Sequence, residues 1–81
     1  MRMDFITFRS ITPAQRGQRL LQHGGIDAVL MRTPRWMEEK GCGYCLRLKS
    51  TDTGRAILLL QQAQLPYSKV YASQGGEEVG L

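Results

Sequence analysis

The chain has 81 residues, 42% of them hydrophobic and 22% charged, with a net charge of +4. That length supports one small core rather than two, and the composition excludes wholesale disorder. The longest apolar run, Ala56-Ile57-Leu58-Leu59-Leu60, is far too short to span a membrane, and the basic residues are dispersed rather than gathered into a nucleic-acid footprint.

In chain order, Asp4-Phe5-Ile6-Thr7-Phe8 is β-branched and aromatic and predicts a first strand. Thr12-Pro13-Ala14-Gln15 then predicts a helix start, with Thr12 as cap, Pro13 at the first helical position and Gln15 closing a capping box. Ala14, Gly17, Leu20 and Leu21 recur at helical spacing, and Gly24-Gly25 ends the helix. A second strand is expected over Ile26 to Met31, stopped near Thr33-Pro34 because proline cannot donate to a ladder. Arg35 to Gly43 has no clear period, although Trp36 to Lys40 can form a helical turn.

Alternation returns from Tyr44 to Lys49, with Tyr44, Leu46 and Leu48 on one face and Cys45 and Arg47 on the other. Ser50-Thr51-Asp52-Thr53 offers caps for a second helix with Ala56, Leu59, Leu60 and Ala63 on its apolar side, ending near Pro66. Ser68 to Ala72 is a short last strand.

The order β-α-β-β-α-β is that of an α+β, ferredoxin-like sandwich, a four-stranded antiparallel sheet with two helices on one face and its first and third strands central. Residues 1–73 are expected to form this single domain and 74–81 a frayed tail. Met1-Arg2-Met3-Asp4 shows no apolar signal region or cleavage site, so a cytoplasmic location is expected.

The only two cysteines fall in Gly41-Cys42-Gly43-Tyr44-Cys45-Leu46-Arg47-Leu48, where an irregular loop meets the third strand. A bridge between them closes too small a loop to serve as a staple. A thiol works as a nucleophile only as thiolate. Arg35, Lys40 and Arg47 bring positive charge, and Gly41 and Gly43 let successive backbone amides converge on an anion. Glu38 and Glu39 act in the opposite direction. Cys42, with glycine on both sides, is sterically open, whereas Cys45 is expected to be less exposed and can simply pack.

Several chemistries stay open at this point. The thioredoxin arrangement places its motif at a helix N-terminus, and a strand follows here. Zinc finds two soft ligands in one chain, half of a tetrahedral site, so a metal would need a second copy of the chain. His23 closes the first helix, where interaction with its last carbonyls is the simpler role. The glycine-aromatic signature of RNA-binding sheets is absent from the third strand. Inert, packed cysteines remain the plain alternative.

Thr33-Pro34-Arg35, an irregular stretch, and then Cys42-Gly43-Tyr44-Cys45-Leu46-Arg47 resemble the small domains named selenium/sulfur carrier-like proteins. The likeness runs from about Phe5 to Ala72, with Pro34, Arg35, Cys42, Gly43, Leu46 and Arg47 at the positions that carry it. The small polar residues that family members tend to have before the cysteine are replaced here by Glu38, Glu39, Lys40 and Gly41.

The resemblance implies a carrier rather than an enzyme. Cys42 would hold a persulfide or perselenide, stabilised as an anion by Arg35, Arg47 and the Gly41 and Gly43 amides. Cys45 stands where many members have a small apolar residue, so the resemblance gives it no role; as a nearby thiol it is a candidate to release the atom by forming a disulfide. Donor and acceptor proteins are the implied partners. No cofactor, metal site or membrane is expected, and an exposed edge strand is compatible with a homodimer. The alternative is a small interaction, redox or metal-binding module in which Cys42 and Cys45 pair or ligate.

Overall fold

A computed structural model describes residues 2–34 and 43–72. Its elements run β1 (Met3–Phe8), α1 (Ile11–His23), β2 (Val29–Arg32), β3 (Tyr44–Lys49), α2 (Ser50–Gln62) and β4 (Val70–Ala72). The strands form one sheet in the order β2-β3-β1-β4, and every pairing is antiparallel. The first and third strands are central, as the ferredoxin-like reading requires. No helix among the described residues is long and apolar enough to cross a membrane.

Strand alternation decides where the core lies. In register, Ile6 faces Leu46 and Val70, Leu30 faces Leu46, and Phe8 faces Tyr44. Ile6, Phe8, Leu46 and Val70 join Ala14 and Leu21 of α1 and Ala56 and Leu60 of α2 in one buried cluster, with Leu30 and Tyr44 half-buried against it, so both helices cover the same face. The intervening positions, Phe5, Thr7, Met31, Cys45, Arg47 and Tyr71, belong to the other face. There Phe5, Cys45 and Tyr71 make a second, smaller buried cluster with Met31 packed against it.

The helix boundaries differ from the sequence expectation in instructive ways. α1 begins at Ile11 after an extended Ser10, two residues before the predicted first position, and Ser10 makes no side-chain cap bond. Pro13 is therefore the third helical residue. This is harmless, because the first four helical N–H groups lack an intrahelical acceptor anyway. α2 follows β3 without a loop, starting at Ser50, and none of the predicted hydroxyls caps it. Thr53 instead turns inward, its hydroxyl donating to the buried Asp4 Oδ2 at 2.8 Å. A polar pair between α2 and β1 thus takes the place of a cap.

Both helices end in the same hydrogen-bonded motif. After α1, Gly25 N–H donates to the Gln22 carbonyl (3.0 Å) and Ile26 N–H to the Leu21 carbonyl (2.8 Å), with Gly25 at φ +81°. Ile26 and Leu21 are both buried in the main cluster, the apolar contact that accompanies this closure. After α2, Gln64 and Leu65 donate to Gln61 and Leu60 in the same pattern (3.0 and 2.9 Å), with Gln64 at φ +56°. The Arg55 guanidinium also donates to the Gly24 carbonyl, tying α2 to the end of α1.

Two strands are shorter than predicted. Ile26 and Ala28 are buried but lie in the connection before β2, which starts only at Val29. Ile26 closes the end of α1, and the Ala28 carbonyl accepts from Gln18 Nε2 at 3.0 Å rather than from a strand. At the other end, Ser68 and Lys69 precede the three-residue β4, although both bond to Thr7. The predicted turn from Trp36 to Lys40 and the tail 74–81 lie outside the described residues.

Candidate functional site

The stretch that bears Cys42 leaves and rejoins the sheet at a closed neck. Arg32 pairs with Tyr44 across the β2–β3 ladder, and Thr33 N–H donates to the Gly43 carbonyl at 3.3 Å. The Arg32 guanidinium lies over the Tyr44 ring, 5.9 Å from its centre. Such a contact adds about 0.5–1 kcal/mol at an exposed site. Nine residues, 34–42, separate the two bonded positions Thr33 and Gly43, and Cys42 is joined directly to the second of them.

Gly43 is fixed by backbone geometry. Its φ of +116° is disfavoured for any residue with a Cβ, and a Cβ there would approach the Phe8 carbonyl oxygen to 2.7 Å. Glycine at this position therefore lets the chain turn into β3 while lying against the end of β1.

Cys45 pairs with Thr7 on one side and Met31 on the other and has no exposed surface. Loss of hydration raises its thiol from 9.0 to about 11, the Thr33 hydroxyl pulling it down by a smaller amount. At neutral pH this sulfur is a thiol rather than a thiolate. The Thr33 Oγ1 is itself buried without a hydrogen-bond partner, so its influence on the sulfur stops short of a proper bond.

Arg47 lies on the same face as Cys45, exposed, with Phe5 and Val29 as its strand partners. Three residues of strand lie between it and Gly43, a separation of about 13 Å. Arg35, Gly41 and Cys42 lie outside the described residues. Of the predicted site, then, the structure brings together Gly43 and Cys45 at the start of β3 and sets Arg47 further along that strand.

Two residues at the neck, Arg32 and Thr33, were not among the site residues expected from the sequence. Arg32 takes its place through cross-strand register with Tyr44, and register is invisible before strand pairing is known. Thr33 carried a weak signal, since a hydroxyl beside the proline that ends a strand is a common turn element. Among the described residues no group of three or more His, Cys, Asp and Glu side chains is placed to hold a metal ion.

In comparison with known proteins, the family described as "Putative Se/S carrier protein-like" matches residues 4–72. No curated protein and no solved structure gave a match.

Proposed function

The chain belongs to the selenium/sulfur carrier-like family, and from that premise we propose that Cys42 carries a sulfur or selenium atom between a donor and an acceptor protein. The observation that favours Cys42 over Cys45 is the burial of Cys45 at the start of β3, with its thiol pushed up to about 11. A carrier sulfur must meet a partner's sulfur in line, and an enclosed neutral thiol cannot do so.

For sulfur, loading is an exchange that needs no added oxidant. The Cys42 thiolate attacks the terminal sulfur of a donor persulfide, the donor's S–S bond breaks, and a new S–S bond forms on Cys42. The donor leaves as a thiolate. The selenium case is analogous, with an Se–S bond formed. Unloading is the same step with the acceptor's thiolate as nucleophile.

The terminal atom of the loaded group is an anion, which assigns supporting roles. Arg35 supplies a nearby cation, and the Gly41 and Gly43 amides supply donors. Arg47, placed well along β3, contributes charge on the shared face rather than a hydrogen bond. Cys45 can attack the inner sulfur of the Cys42 persulfide, forming a disulfide and releasing hydrosulfide. That route requires the first residues of β3 to open, and a reductant must then restore both thiols. It is an escape route from the loaded state, with direct transfer to the acceptor as the main path. The role is that of a carrier, and transfer occurs in the cytoplasm.

Intact-mass analysis after incubation with a persulfide donor tests the assignment. One added sulfur is expected on the wild type and on Cys45→Ser, and none on Cys42→Ser. Equal loading of Cys42→Ser overturns it.

A further inference from the structure

Strand register gathers three cations and no described carboxylate at one end of the sheet, while Arg2, Lys49 and Arg55 share the other end with the carboxylates. Phe8 and Arg32 both pair with Tyr44, and Ser68 N–H donates to the Thr7 carbonyl at 2.7 Å. The C-terminal ends of β1 and β2 therefore meet the N-terminal ends of β3 and β4. Arg9, Arg32 and Lys69 all belong to this end. The carboxylates among the described residues, Asp4, Asp27 and Asp52, belong to the opposite one, near the end of α1 and the start of α2. Glu38 and Glu39 lie outside the described residues.

A cavity of about 570 Å³ opens at the cationic end between Arg9, Pro13, Pro66, Tyr67, Ser68 and Lys69. That volume falls in the range of small-molecule sites. Its lining has two characters: Arg9, Lys69 and Ser68 supply positive charge and hydrogen-bond donors, while Pro13, Pro66 and Tyr67 supply flat apolar walls. The wall formed by Ser68 and Lys69 is tied to β1. Thr7 N–H donates to the Lys69 carbonyl at 2.8 Å and Lys69 N–H donates to Thr7 Oγ1 at 2.9 Å, so the wall is built before any ligand arrives. Pro13 belongs to the first turn of α1, which contains no acidic residue to offset the positive end of the helix.

We propose that this cavity binds a small organic anion, a phosphate or carboxylate held by Arg9 and Lys69 with a flat apolar body against Tyr67 and the two prolines. The site is independent of the carrier reading and stands whether or not Cys42 is loaded.

Amide chemical-shift titrations of the full chain with phenyl phosphate, benzoate and inorganic phosphate test this. Phenyl phosphate or benzoate should give saturable shifts confined to residues 9–14 and 66–69, and whichever binds more tightly identifies the preferred anion. Inorganic phosphate should bind more weakly, because it lacks the apolar body. Arg9→Ala, at an exposed position, should weaken binding about tenfold. Arg19→Ala, on the exposed side of α1, should leave it unchanged. Absence of saturation below about 10 mM overturns the proposal, as does affinity unaffected by Arg9→Ala, or inorganic phosphate binding as tightly as the aromatic anions.

Discussion

Gly43 and Cys45, two residues apart, are held by opposite kinds of constraint. Gly43 is required for what it lacks, since a Cβ would press on the Phe8 carbonyl oxygen and its φ of +116° suits no other residue. Gly43→Ala should cost about 2–3 kcal/mol in chemical denaturation, whereas an exposed glycine such as Gly54, with open space around it, should tolerate the same change. Cys45 is constrained by what surrounds it. Its folded-state value of about 11 exceeds the ordinary 9.0, so the native state holds this proton more tightly than the unfolded chain does. The resulting stability is fully present below pH 9 and is lost as pH rises through about 11, amounting to about 2–3 kcal/mol. Denaturation midpoints measured across that window should fall more steeply for the wild type than for Cys45→Ala. In Cys42→Ser, native Cys45 should also alkylate far more slowly at pH 7 than it does after denaturation. Equal rates would show that this sulfur is accessible.

At the scale of elements, the matching ends of α1 and α2 provide an internal comparison. The same closure is built on Gly25 in one and Gln64 in the other. A non-glycine residue in the left-handed region costs about 1 kcal/mol, so Gln64→Gly should stabilise the protein by up to about that amount in thermal or urea unfolding. Unchanged or reduced stability would mean that the Gln64 side chain or the flexibility of the unfolded chain outweighs the backbone term. Element type and order were legible from apolar spacing, because alternation and helical periodicity report burial directly. Element starts were not. Thr12 carries a good capping signature, yet the helix begins at Ile11, and Thr53 spends its hydroxyl on Asp4 rather than on its own helix. Tertiary partners decided both cases, and local sequence does not reveal them.

For the whole molecule, the topology gathers features that are scattered along the chain. Arg9, Arg32, Thr33, Gly43 and Lys69 meet at one end of the sheet because alternate strands run in opposite directions. The dispersed basic residues gave no sign of this grouping in sequence. The faces of β3 were legible, with Leu46 and Leu48 toward the helices and Cys45 and Arg47 away from them. The separation of Arg47 from the neck was not, because adjacency in sequence hides the extension of a strand. The family match over residues 4–72 accords with the fold and spans every strand and helix described, apart from the first residue of β1.

Release of the carried atom tests the carrier assignment most directly. Cyanide removes the terminal sulfur of a persulfide as thiocyanate, so donor-loaded protein, freed of excess donor, should yield about one thiocyanate per chain from the wild type and from Cys45→Ser. The same treatment should give none from Cys42→Ser. Thiocyanate from Cys42→Ser at the wild-type level, or its absence from the loaded wild type, would contradict the assignment of Cys42 as the carrier sulfur.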